Sequence, residues 1–242
     1  MISIITPVLN EEAEIGPFCA HLAGLQGSFE WIVVDGGSTD GTVAAVRRQE
    51  GGLPYPLHLL VAPRGRAVQM NAGAVTATGE ILLFLHADCR IPGDSLAAIE
   101  AAVHEGGFVG GGFSHSFAPA SPLLAATSLL GNLHARATGI FYGDFGIFLR
   151  KDLFTQIGGY DTSLPYCEDA ALCRAARRQG RMVQIPQTIV SSSRRYEQQG
   201  RWRLTILFAV VILLDAIGIR PGRFRPAVGA REEDETALTP RR

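Results

Sequence analysis

Four short apolar runs, at residues 2–5, 31–34, 57–61 and 81–85, alternate with segments of helical spacing, and this alternation limits the possible folds more than any other feature. A strand buried on both faces reads as a continuous apolar run, whereas an amphipathic helix repeats its apolar positions every three or four residues. Between the first two runs, Ile15, Phe18, Leu22 and Leu25 fall on one helical face. Further helices are expected from Thr42 and over residues 66–76. Repeated β-α units predict an α/β fold with a doubly wound, mostly parallel sheet and right-handed crossovers. Ligands of such sheets collect beyond the carboxyl ends of the strands.

Those strand ends carry polar residues. The run 81–85 closes in His86-Ala87-Asp88, which delivers a carboxylate to the ligand edge, although a lone Asp there equally serves as a helix cap or turn former. After the first run comes Thr6-Pro7-Val8-Leu9-Asn10-Glu11-Glu12. Pro7 lacks a donor and is expected to turn the chain out of the sheet, while Asn10 and Glu11 suit either capping or hydrogen bonds to a nucleobase or ribose. The second run ends in Asp35-Gly36-Gly37-Ser38-Thr39-Asp40-Gly41. That loop is neither a dinucleotide fingerprint nor a phosphate loop, and Asp40 stands where a calcium loop requires glycine. What remains is an acid able to accept from a uracil edge or ribose, a flexible turn, and a capping Asp40. Arg64 and Arg66 flank Gly65 ahead of a helix; their guanidinium groups suit a diphosphate, or are simply solvated.

Beyond Asp88 the rhythm loosens. A helix over residues 93–105 precedes a cluster of glycines, Gly106, Gly107, Gly110, Gly111 and Gly112, and a strand-rich region reaching Phe148. Within it, Tyr142-Gly143-Asp144-Phe145-Gly146 is either a tight turn or a sugar-binding loop. Glu168-Asp169 opens an amphipathic helix with Gly180 as its stop signal, so the two acids are either an N-terminal cap or a catalytic pair.

A net charge of −1 without a basic stripe argues against a nucleic-acid partner. The four cysteines form no Cys-x-x-Cys pair and the first residues carry no secretory pattern, which favours a reducing cytoplasm over a disulfide framework or zinc site. The longest apolar stretch, residues 204–219, is interrupted by Asp215 and as a helix spans ~24 Å, short of a bilayer core. Arg194, Arg195, Arg201, Trp202 and Arg203 precede it, and Arg220, Arg223 and Arg225 follow. Such flanks fit an anchor lying in the plane of a membrane surface; a buried core helix is the alternative.

Taken in order, Pro7-x-x-Asn10-Glu11, Asp35-Gly-Gly-Ser38-x-Asp40-Gly41-Thr42, Arg66 to Gly73 with Asn71, His86-Ala-Asp88, Tyr142-Gly-Asp144-x-Gly146 and Glu168-Asp169 resemble the family-2 glycosyltransferases of the GT-A fold. The similarity extends to short bacterial members with the same Leu-His-Ala-Asp wording, some labelled carotenoid-acid glucosyltransferases. Gln198-x-x-Arg201-Trp202 also matches a motif of processive polysaccharide synthases, but those carry several membrane spans. The resemblance implies a GT-A domain over residues 1–200; composition and flanking charge divide the rest into an Arg-flanked apolar helix over 201–225, membrane-surface or core-packing, and a charged, disordered tail over 226–242. It implies an inverting transfer of a hexose from a nucleotide-diphosphate sugar, UDP above all, to a hydroxyl or carboxyl acceptor on a lipid or isoprenoid at the cytoplasmic membrane face. Pro7, Asn10, Glu11, Asp35, Arg64, Arg66, Asn71 and Ala87 would then bind donor, and Tyr142 and Asp144 acceptor or sugar. Asp169 would be the base, kept ionised and weakly basic by its helix N-terminus, with Glu168 orienting substrate. Asp88 would hold Mn2+ or Mg2+; His86, which replaces the first acid of the usual Asp-x-Asp, would either join it as a ligand and tilt the preference toward manganese or only donate to ribose or phosphate. Two other readings stay open: a non-catalytic nucleotide-sugar-binding subunit of a membrane assembly, and a sugar nucleotidyltransferase. The latter needs a Gly-x-Gly-Thr-Arg signature that residues 6–12 do not supply.

Overall fold

The computed structural model describes residues 1–216. Arg220, Arg223, Arg225 and the charged tail lie outside the described residues. The first third of the chain alternates β1 (Ile2–Val8), α1 (Glu12–Leu22), β2 (Phe29–Asp35), α2 (Thr42–Arg47), β3 (Leu57–Val61), α3 (Arg66–Thr76) and β4 (Ile81–Phe84). Then follow β5 (Cys89–Arg90), α4 (Ser95–Glu100), β6 (Gly110–Ala118), α5 (Pro122–Thr138), β7 (Ile147–Arg150), α6 (Lys151–Gln156), α7 (Glu168–Arg177), β8 (Met182–Ser192), α8 (Arg194–Gln199) and α9 (Arg201–Ala216).

The eight strands of the described residues join one sheet in the order β3-β2-β1-β4-β7-β6-β8-β5. β1 to β4 are mutually parallel, as their crossover helices require. At β7 the direction reverses, since that strand runs antiparallel to both β4 and β6. β6 and β8 are parallel, and β5 closes the edge antiparallel to β8. Side chains of β4 alternate between two cores: Ile81 and Leu83 pack with α1 and Trp31 on one face, Leu82 and Phe84 with α3, α6 and α7 on the other. A residue such as Leu83, fully buried, contributes ~1.5–3 kcal/mol by leaving water.

Several expectations change here. Pro7 does not leave the sheet, because β1 continues through Val8. Ile5 accepts from Leu85 on the β4 side and Val8 from Gly36 on the β2 side, so by alternation Pro7 faces β4, beyond the last β1–β4 pair, where no partner needs its missing N–H. The region read as strand-rich up to Phe148 contains the 17-residue α5. Its start and stop are conventional: Ser121 accepts from the Leu124 N–H, Pro122 occupies the first turn, and Gly139 closes the helix at φ 64°. Apolar residues around its whole circumference hide its period. The helix at 93–105 is α4 continued by a wider π turn over Ala101–Glu105. α7 ends at Arg177, so Gly180 is not its cap. Within the glycine cluster, a Cβ on Gly111 would strike the carbonyl oxygen of Val183, which explains the close approach of β6 and β8.

Candidate active site

The carboxyl ends of β1 and β2 form a rigid floor. Asp35 Oδ2 accepts from the backbone N–H groups of Gly37 (2.9 Å) and Ser38 (3.0 Å), and Oδ1 accepts from the Ser38 hydroxyl. Asn10, held at φ 54°, accepts from the Thr39 N–H through its side chain while its own N–H donates to Ser38 Oγ. Asp40 accepts from the Thr42 N–H, but it stands one residue before the N-cap of α2, which is Gly41 and has no side-chain cap, so the expected capping Asp40 is displaced by one position. Gln69, unnoticed in the sequence, reaches up from α3 and donates to the carbonyls of Val8 (2.9 Å) and Val34 (2.8 Å), fastening the two strand ends together. The acid of Asp35 is therefore buried and satisfied by its own turn.

The neighbouring polar residues are also engaged. Glu11 supplies no side-chain cap to α1; its carboxylate pairs with Arg194 of α8 at 2.9 Å, and Arg194 reaches Glu14 as well. Arg194 is thus a strap between the end of the sheet and the first loop rather than a cation flanking a membrane helix. Asn71 clasps the backbone of Tyr160, donating to its carbonyl and accepting from its N–H, each at 2.9 Å. Arg64 is exposed and Ala87 buried.

Across the cleft, Arg66 at the start of α3 meets Glu168 at the start of α7, with NH2 to Oε1 at 2.9 Å. Glu168 and Asp169 are both buried. Gly143 sits opposite: a Cβ there would lie 2.9 Å from His86 Nε2 and 3.0 Å from Asp169 Oδ2. The imidazole and the carboxylate therefore border one small space that only glycine leaves open. The Gly143 backbone N–H, beside Asp169, works against the rise in its pKa.

Burial, and then the Glu168 charge, push the Asp169 carboxyl up to about 7 against the opposing pull of Arg66. This overturns the expectation of a weakly basic carboxylate, because desolvation outweighs the helix N-terminus. Burial first, and Arg66 second, hold His86 below the usual imidazole range, which favours the uncharged ring. Tyr160, fully buried beside these acids, has its phenol pushed well up.

Asp144 is partly exposed, with Oδ2 3.5 Å from Nε2 of the buried His115 and its carbonyl accepting from Ser191. Tyr142 packs away from the acids: its ring lies 5.4 Å from that of Phe208 in α9 and 6.1 Å from His134 in α5, and its hydroxyl is buried. That packing leaves Gly143 and Asp144 as the parts of the loop facing the cleft. Asp88 follows β4, half-buried, its carbonyl accepting from the Ser192 N–H. Among the described residues no three His, Cys, Asp or Glu side chains converge as a metal cage. One carboxylate and one neutral imidazole fit a cation that shares its remaining positions with an oxygen-rich ligand such as a diphosphate.

The sequence model described as Glycosyl transferase family 2 matches residues 3–150. Over 156 residues the chain is 27% identical to an undecaprenyl-phosphate 4-deoxy-4-formamido-L-arabinose transferase of Aeromonas hydrophila, covering 62% of this chain and 48% of that protein. Over 95 residues it is 32% identical to a dodecaprenyl-phosphate galacturonate synthase of Rhizobium johnstonii, covering 37% and 28%. The chain thus spans about half or less of the length of these relatives. In three dimensions it resembles a mannosyltransferase from Pyrobaculum calidifontis, solved in complex with GDP-Man and Mn2+, with a TM-score of 0.70 and 25% identity over 90% of this chain and 64% of that one.

Proposed function

Because the chain belongs to glycosyl transferase family 2 and its fold matches that of a GT-A enzyme, we propose that it is an inverting glycosyltransferase acting on a nucleotide-diphosphate sugar and a lipid-borne acceptor. The observation that carries this reading is the shared space above Gly143, bordered by a buried carboxyl near neutrality and a neutral imidazole. A base with a pKa near the working pH takes a proton most effectively in the transition state. Asp169 removes the proton of an acceptor hydroxyl as its oxygen attacks the anomeric carbon, on the side opposite the departing nucleotide. Glu168 raises the basicity of Asp169 and holds Arg66, whose guanidinium lies at the α3 N-terminus where a diphosphate is attracted. Where the acceptor is already ionised, as a carboxylate or a phosphate, Asp169 orients rather than deprotonates it.

Asp88, with His86, is the pair that would hold a divalent cation; when bound, such a cation offsets the charge developing on the leaving diphosphate. The prenyl-phosphate wording of the two relatives supports an isoprenoid phosphate as acceptor beside the hydroxyl and carboxyl classes. The GT-A unit is assigned to residues 1–200, with UDP as the preferred donor nucleotide and the inner membrane face as the place of action.

The deciding experiment measures metal-dependent turnover of UDP- and GDP-sugars, with and without short-chain prenyl-phosphate, carboxylate and alcohol acceptors, in wild type and in Asp169→Asn. Turnover abolished by Asp169→Asn with donor binding retained supports the proposal. Tight donor binding without turnover for every acceptor overturns it in favour of a binding subunit.

A further inference from the structure

α5 and α9 lie side by side, and each presents an apolar face to solvent. On α5, Leu129, Leu130 and Leu133 are 59%, 51% and 54% exposed; on α9, Trp202, Ile206 and Leu213 are 70%, 60% and 61% exposed. The inner faces already have partners: Thr127 Oγ1 stands 3.3 Å from Thr205 Oγ1, and Gly131 lies against the Phe208 ring. The outward residues thus line one two-helix surface rather than scattered single positions. Arginine flanks mark the apolar stretch of residues 201–225 in the sequence, whereas nothing there marks the exposed leucines of α5. α9 packs one face against α5 and exposes the other, so it is not a fully buried core helix.

Contiguous apolar surface of this kind marks a docking face, and its charges identify what docks. α5 contains no acidic residue, and the only acid in α9 is Asp215 near its end, while Arg136, Arg201 and Arg203 belong to the same two helices; Arg201 also pairs with Glu197 of α8 at 3.5 Å, an exposed pair that leaves the face net cationic. A second copy seated here would set cations against cations. An anionic lipid surface accepts both features, with headgroups meeting the arginines and Trp202 while the leucines enter the acyl boundary. No described helix is long and apolar enough to cross a membrane. The face also adjoins the cleft: Phe208 and His134 hold the Tyr142 ring, and the next residue, Gly143, borders Asp169 and His86.

We infer that the α5–α9 pair is a membrane-seating face that lies flat on an anionic bilayer and turns the Tyr142–Asp144 side of the cleft toward the headgroup layer. It deepens the lipid-acceptor reading, but vesicle binding is measured without donor or acceptor, and loss of one leaves the other testable.

The test is co-sedimentation of the full chain with phosphatidylcholine vesicles, with and without phosphatidylglycerol. Wild type should partition onto the anionic vesicles, and both the triple variant Leu129→Ser/Leu130→Ser/Leu133→Ser and the double variant Trp202→Ser/Ile206→Ser should lower partitioning at least about tenfold. The chain has two tryptophans and Trp31 is fully buried, so a blue shift of wild-type emission on adding anionic vesicles reports Trp202 and needs no variant. Absence of wild-type partitioning or of the blue shift overturns the inference. So does loss confined to the α9 variant, or a wild-type dimer that the α5 variant dissociates.

Discussion

Arg66 and Glu168 are joined by a 2.9 Å ion pair that crosses the cleft from the first turn of α3 to the first turn of α7. Both partners act on Asp169, in opposite senses: the carboxylate raises its pKa and the guanidinium lowers it. The protonation of the proposed base is therefore adjustable from either side.

The acid limb of turnover with a hydroxyl acceptor should fall through a pH of about 7, because only ionised Asp169 accepts a proton. Arg66→Ala removes the lowering influence and should move that limb to higher pH; Glu168→Gln removes the raising influence and should move it lower. Profiles of kcat/KM against pH measure both, and shifts in one common direction would defeat the assignment.

Asp169→Asn should lower kcat by ~10²–10⁴ while donor affinity stays within a few-fold. It should also stabilise the protein. A carboxyl raised to about 7 in the fold from an ordinary 3.8 favours folding below 3.8 and loses that contribution as pH rises through 7. The variant's Tm should thus exceed that of wild type at pH 8, and the gap should close by about pH 4. Paired thermal melts at the two pH values check this.

Gly143→Ala places a methyl 2.9 Å from His86 Nε2 and 3.0 Å from Asp169 Oδ2. Gly143 has no requirement for positive φ, so the change should leave the fold intact. Turnover should drop more than about tenfold by occupying the reacting space. Unchanged activity in a folded variant would show that this space is not where transfer occurs.

Asp88→Ala should abolish metal-stimulated turnover, and chelation of wild type should produce the same loss, restored by adding Mn2+. His86→Asp exchanges a nitrogen donor for a hard oxygen and should reduce the ratio of Mn2+- to Mg2+-supported rate. Steady-state rates across a titration of each ion read this directly.

Asn71→Ala removes both hydrogen bonds to the Tyr160 backbone and should cost ~1–3 kcal/mol. In a chain of this size that is a Tm fall of several degrees, seen by calorimetry.

The parallel half of the sheet was legible because each strand carries its own apolar run and each crossover its own helical period. α5 was not, although Ser121, Pro122 and Gly139 marked both of its ends; its apolar residues face solvent as well as core, and the stripe that betrays a helix is absent. The acids at 88, 144, 168 and 169 stood out because strand ends and helix starts are where a carboxylate has reason to be. Gln69 and Asn71 are different. Their partners are backbone groups up to 61 and 89 residues away, and a residue gripping a distant main chain leaves no local pattern. The basicity of Asp169 was misjudged for a related reason. The helix start was visible in the sequence, but the burial that outweighs it was not.

The clasp of Asn71 on Tyr160 sits five residues along the same helix whose first turn holds Glu168 through Arg66. Both ends of the connecting stretch, residues 161–167, are consequently pinned to one rigid body. A change of length within residues 161–166 should therefore leave the aim of the two acids unaltered, provided Cys167 keeps its place as the residue that starts α7.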